Sequence, residues 1–147
     1  MMSDNPSFFT SDERTMAILA HASGLLNLVT GMGGLIGAGV IWLIQREKSP
    51  WSAFHGLQSL IFQAVVGVIA GVVIGGTWLV GFIFSFITLG FGTVIAVPIM
   101  ILIMFLGLCI TYAGVGYQIY AAVQVNNGKD FVYPWIGAWL RRQLKGS

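Results

Sequence analysis

The chain has 147 residues, 56% of them apolar, only 8% charged, and a formal net charge of +2. With a mean hydropathy of +0.86, a soluble core of this size would leave no polar surface to face water. The small net charge excludes a nucleic-acid groove, and one cysteine, Cys109, excludes an intrachain disulfide. No Asp, Glu, Lys or Arg occurs from Ser49 to Gly128 or from Thr15 to Gln45. Runs of that length imply several passes of about twenty residues through hydrocarbon. A single all-α integral membrane domain follows, with a lipid bilayer as its first partner.

The N-terminal tail Met1 to Glu13 is polar and acidic and lacks a cleavable leader pattern. Thr10 is placed to cap a helix, with Glu13 three residues on reaching back to it. The first helix is expected over about 12–29. Gly31, Gly33 and Gly34 then weaken any continuous helix. Unbroken, Thr15 to Gln45 would measure about 46 Å against a hydrocarbon core of about 30 Å. Two short helices, 12–29 and 35–46, joined by the glycine turn are therefore expected. The alternative is one tilted, kinked span, giving three spans instead of four.

Ser49-Pro50 is a helix start, Ser as cap and Pro at the first helical position. The third helix is expected over 50–75, ended by Gly75-Gly76. Residues 78–89 are too short to cross alone and read as an interfacial segment. The fourth helix is expected over 94–125, with Pro98 near its start, followed by a turn at Asn126 to Asp130. Residues 134–145 put Trp135, Ile136, Trp139, Leu140 and Leu144 on one face and Arg141, Arg142 and Lys145 on the rest, as an interfacial helix does. The positive-inside bias places the Arg46-Glu47-Lys48 link and the tail in the cytoplasm. Trp42, Trp51, Trp135 and Trp139 then belong to that interface, and Trp78 to the opposite one.

Gly67, Gly71 and Gly75 form a small-residue ridge on the third helix, and Gly107, Thr111 and Gly114 begin a second seam on the fourth. The two seams are expected to pack on each other within one chain, with recruitment of a second chain as the alternative. Intramembrane polar residues are few. Ser52, His55, Ser59 and Gln63 share a stripe with Gln58 beside it, while Ser23, Asn27 and Thr30 share a face of the first helix and His21 points nearly opposite. His21 and His55 invite a metal, haem or proton-relay reading. Two histidines with no cysteine or carboxylate at ligand spacing complete no such site. An interhelical hydrogen-bonded cluster that fixes register is the expectation, with no metal and no cofactor. With no Ser-His-acid set, carboxylate pair or phosphate loop, the chain is not expected to be an enzyme.

Asp12-Glu13-Arg14 leading to His21, then Gly34-Leu35-Ile36-Gly37 and Trp42-Leu43-Ile44 before a charged link, form the first part of a recurring pattern. His55-Gly56-Leu57-Gln58 and the closing Asn127-Gly128-Lys129 and Tyr133-Pro134 complete it. This pattern resembles a family of small prokaryotic membrane proteins of unknown function, itself similar to the twenty-kilodalton component of the chloroplast inner-envelope protein translocon. The resemblance covers most of the chain. It departs at residues 78–89, which look like an insertion, and at Gly37-Ala38-Gly39, where the family has a proline. It implies four membrane helices with both ends cytoplasmic, in the prokaryotic plasma (inner) membrane. Two functions are carried forward. One is a non-catalytic accessory subunit of a larger membrane complex, whether hetero-complex or homo-oligomer, docking through glycine seams and aromatic faces. The other is a pore or translocation component.

Overall fold

The computed structural model describes residues 9–145, and of Lys145 the backbone alone; the acidic tail before Phe9 lies outside them. The described residues are mostly helical, with no strand among them. The order is α1 (Ser11–Ala22), a short 3-10 turn (Ser23–Leu26), α2 (Asn27–Thr30), α3 (Gly33–Gln45), α4 (Pro50–Ile87), α5 (Thr93–Asn126) and α6 (Ile136–Lys145).

The start of α1 is a capping box: the Thr10 hydroxyl accepts from Glu13 N–H, and the Glu13 carboxylate accepts from Thr10 N–H at 2.9 Å. The glycine turn comes next, with Gly31 at φ 77°, a conformation a side chain would strain. Past it α3 folds back on the preceding segment. Ser23 Oγ lies 3.0 Å from the Gly34 carbonyl, and Asn27 Oδ1 accepts from Gly34 N–H at 2.8 Å. A Cβ on Gly34 would sit 2.5 Å from the Ser23 carbonyl oxygen. The first segment is thus a tight helical hairpin, not one kinked helix, because its glycines let two backbones touch.

Ser49 caps α4, accepting from Ser52 N–H at 3.2 Å. Helix α4 then runs unbroken to Ile87, which corrects two expectations. Gly75-Gly76 does not end the helix, and residues 78–89 are not a separate interfacial segment. A glycine in a helix costs about 1 kcal/mol, less than opening backbone hydrogen bonds among apolar neighbours. The turn falls at Leu89 and Gly90 instead, both at positive φ. Pro98 is accommodated near the start of α5.

The chain divides into two compact units, residues 9–64 with 115–145 and residues 65–114. In the second unit α4 and α5 form an antiparallel hairpin. A Cβ on Gly114 would meet Val66, one on Gly107 would meet Ile74, and one on Gly81 would meet Met100. A Cβ on Gly67, Gly71 or Gly75 would meet nothing within 4 Å. The two seams therefore do not pack on each other: the α5 seam rests on Ile74 and Val66, and the α4 ridge is uncovered.

Both long helices are apolar enough to cross a membrane, at mean hydropathies of 2.2 and 2.8 over their best windows, and 22% and 11% of those windows is buried. The core helix of a soluble protein would be mostly buried. Exposed Val68, Val72, Phe82, Phe86, Ile95, Leu102 and Phe105 are a surface for lipid.

Candidate functional site: a sealed histidine network

The first unit is built around polar side chains. His21, Ser52, His55, Gln58 and Ser59 have no exposed surface, and Gln63 has 3%. Their spacing along α1 and α4 puts them on facing stripes, and each finds a partner there. Ser59 Oγ donates to the Ala20 carbonyl at 2.7 Å, Ser52 Oγ to the Glu13 carbonyl at 2.9 Å, and Gln63 Nε2 reaches Ser59 and Ser23. Asn27 Nδ2 completes that end, donating to Gln63 Oε1 at 2.8 Å.

At the other end the two histidines meet. His21 Nε2 lies 3.0 Å from His55 Nδ1, and His21 Nδ1 lies 3.1 Å from the Tyr133 hydroxyl. His55 Nε2 lies 3.4 Å from Asp130 Oδ1, long for a hydrogen bond but close for a charge. Trp51 Nε1 donates to the same carboxylate oxygen at 3.2 Å, and Arg141 pairs with Oδ2. Gln58 stands beside them. Its Nε2 donates to the Phe131 carbonyl at 2.9 Å and contacts His55 Nδ1 at 3.0 Å, while its Oε1 accepts from Tyr133 N–H at 3.3 Å.

One proton assignment fits the two rings best. Burial pushes the Asp130 carboxyl up, but the neighbouring His55 ring and the charge of Arg141 outweigh it and hold the group below its ordinary value. Asp130 is therefore an anion and accepts only, so His55 carries its proton on Nε2 and offers Nδ1 as acceptor. His21 must then donate from Nε2 and accept on Nδ1, and Tyr133 donates to it. Burial raises the Tyr133 phenol well above its usual value, which keeps that donor in place.

Sequence reasoning grouped His21 with the α4 stripe but left out Asp130, Tyr133 and Arg141. The signal was available in the closing motif, since Tyr133 and Gln58 belong to the two patterns that carry the family resemblance. Arg141, read as an interfacial anchor, is instead the ion-pair partner of Asp130 and lies over the Phe54 ring at 5.0 Å. Trp51, also read as an anchor, is 6% exposed and stacks on Phe9 at 4.1 Å. Trp78, Trp135 and Trp139 are exposed, Trp42 half-buried and Arg142 exposed. Trp135 holds φ 65° with 88% of its surface free, a strained backbone for an aromatic residue. Thr111 spends its hydroxyl on the Gly107 carbonyl within α5. Among the described residues no three of His, Cys, Asp and Glu are grouped to hold a metal ion.

The network thus ties α1, α4, the segment after α5, and α6 together, with His55 Nε2 held to Asp130 by charge rather than by a hydrogen bond and Arg141 Nε left without a hydrogen-bond partner. No curated protein and no solved structure matches the chain. A family model matches residues 12–140, a span that contains every member of the network except Arg141, and on that match this chain belongs to the magnetosome magnetite crystal formation protein family, MamF/MmsF.

Proposed function

We propose that this protein is a non-catalytic accessory subunit that docks by the uncovered Gly67, Gly71 and Gly75 ridge of α4 into a larger assembly of the prokaryotic inner membrane. Membership of the family gives the coarser role, a membrane-associated part in crystal formation. The observation that carries the finer reading is the ridge itself. Three glycines at four-residue spacing leave backbone exposed along an apolar helix, and among the described residues nothing outside their own stretch of helix comes within 4 Å of where their Cβ atoms would be. In lipid, close backbone approach is what drives helices together. We place the Arg46 to Ser49 link and the tail on the cytoplasmic side, with the α1–α3 hairpin and the α4–α5 hairpin as four membrane helices.

The alternative, a pore, needs a wet path lined by polar groups. The stripe that would line it is sealed, Ser52, His55 and Ser59 being wholly buried, which favours the docking reading. The test is co-purification from membranes in mild detergent with the parent and with Gly71→Ile. Parent protein should retain a stoichiometric set of partner chains and the variant should lose it, with thermal stability changed by less than about 0.5 kcal/mol, as for an exposed site. Partners held equally by both would remove the ridge from the reading, and conductance by purified parent would replace it with the pore.

A further inference from the structure

We propose that the His21–His55–Gln58 cluster is a pH-sensitive latch that holds the Asp130–Tyr133 segment against α1 and α4 when uncharged and releases it when protons are taken up.

The geometry makes the latch intolerant of an added proton. His55 Nδ1 already receives two donors, His21 Nε2 at 3.0 Å and Gln58 Nε2 at 3.0 Å. Gln58 cannot turn its amide to relieve this, because Phe131 O and Tyr133 N–H fix its two ends. His55 Nε2 faces Asp130 and is protonated in the neutral ring. The remaining place is His21 Nδ1, where a proton would make a full cation on a wholly buried ring. That ring's nitrogens face Tyr133 and His55, neither of them an anion. Desolvation therefore opposes the charged form while the segment is docked.

The charged and titratable groups around the pair come from every packed element. They are Asp130 and Tyr133 in the segment itself, Arg141 from α6, and Tyr117 from α5, whose ring centroid lies 5.6 Å from that of Tyr133. Asp130 is engaged by Arg141 and Trp51 as well as His55, so it is not free to move to His21. Undocking exposes the imidazoles to water, where they take up protons freely at an ordinary value of about 6.5. Release and proton uptake are linked, and the docked population falls as pH falls.

Hydrogen exchange of the full chain in lipid nanodiscs reads this directly at Phe131, Val132 and Tyr133. Between pH 7.5 and 5.0, after correction for intrinsic exchange, protection of these amides should fall about 30-fold for each histidine that takes up a proton. Amides of residues 65–114 should hold theirs. His21→Gln keeps a donor toward His55 Nδ1 and removes one of the two titrating rings, so its loss over the same interval should be smaller than the parent's by that single-histidine factor of about 30. Constant protection in the parent overturns the latch, as does a variant that loses protection as steeply as the parent. If His21→Gln is unprotected already at pH 7.5, ring-proton resonances of the parent decide. A His21 ring that becomes charged while the segment stays protected overturns the proposal, and charging that coincides with loss of protection supports it.

Discussion

His55 is the residue on which most of the network depends, because its two nitrogens face opposite demands: an anion on one side and two donors on the other. His55→Leu would strand His21 Nε2 in a buried place at about 1–3 kcal/mol, while Asp130 keeps Arg141 and Trp51 and Gln58 Nε2 keeps the Phe131 carbonyl. His55→Gln offers one donor and one acceptor and should cost about 1 kcal/mol. Thermal unfolding in detergent separates the two, and equal losses would mean that ring packing, not hydrogen bonding, fixes the site. Asp130→Asn supplies a pH signature of its own. The carboxyl is held below its ordinary value when folded, so its contribution is complete above about pH 4 and disappears as pH falls through the lower folded value. Glu13, lowered chiefly by a hydrogen bond from Ser49 and by the Thr10 backbone, follows the same sign. In Asp130→Asn the acid limb of the stability profile should flatten below about pH 4 while the profile above pH 5 keeps its shape. A parent-like acid limb would show that Asp130 is no more stabilised as an anion in the folded chain than in the unfolded one. The histidines and the α4 polar stripe were legible in the sequence because uncharged runs make isolated polar residues conspicuous. Asp130 and Tyr133 were not, since in a turn their composition reads as solvated loop and only the fold brings them back to His55 and His21.

Among the elements, glycines that look alike in sequence divide into three kinds. Gly34 and Gly56 are places where backbones meet, a Cβ on Gly56 falling 3.0 Å from Trp42 backbone atoms. Gly107 and Gly114 meet side chains of α4, and Gly67, Gly71 and Gly75 meet open surface. Gly34→Ala should therefore destabilise by about 1–3 kcal/mol, since the Ser23 carbonyl it would strike cannot rotate away. Gly67→Ala should be neutral or slightly stabilising in the isolated chain, because alanine favours helix by up to about 1 kcal/mol. Chemical denaturation of both variants tests the division, and a costly Gly67→Ala would mean that the ridge is covered within one chain after all. Helix starts and the first hairpin were readable from Thr10, Ser49-Pro50 and the Gly31 turn because caps and glycine turns are local. The end of α4 was not. Gly75-Gly76 reads as a break in water, whereas in an apolar surrounding an unpaired backbone costs more than a glycine does.

For the whole molecule, the end of α5 is brought to the start of α4: Asp130 accepts from Trp51 and faces His55. The Arg46 to Ser49 link and the tail therefore share one end of the first unit, and whatever side of a bilayer receives one receives the other. Beyond that end α4 and α5 each continue for roughly twenty more residues without a charge, enough to cross a hydrocarbon core once. Both observations are independent of the positive-inside bias, on which the proposed cytoplasmic placement of the shared end rests. Single cysteines placed at Lys48 and at Lys145 in a Cys109→Ala background should both resist an impermeant thiol reagent in intact cells and both react once the membrane is opened. A cysteine at Gly90, in the turn between the long helices, should behave oppositely. Labelling of Lys48 and Lys145 positions on different sides would contradict the Asp130 contact itself. Labelling of both from outside would keep the fold and invert its orientation, showing that the six basic residues of the link and tail are too few to set it.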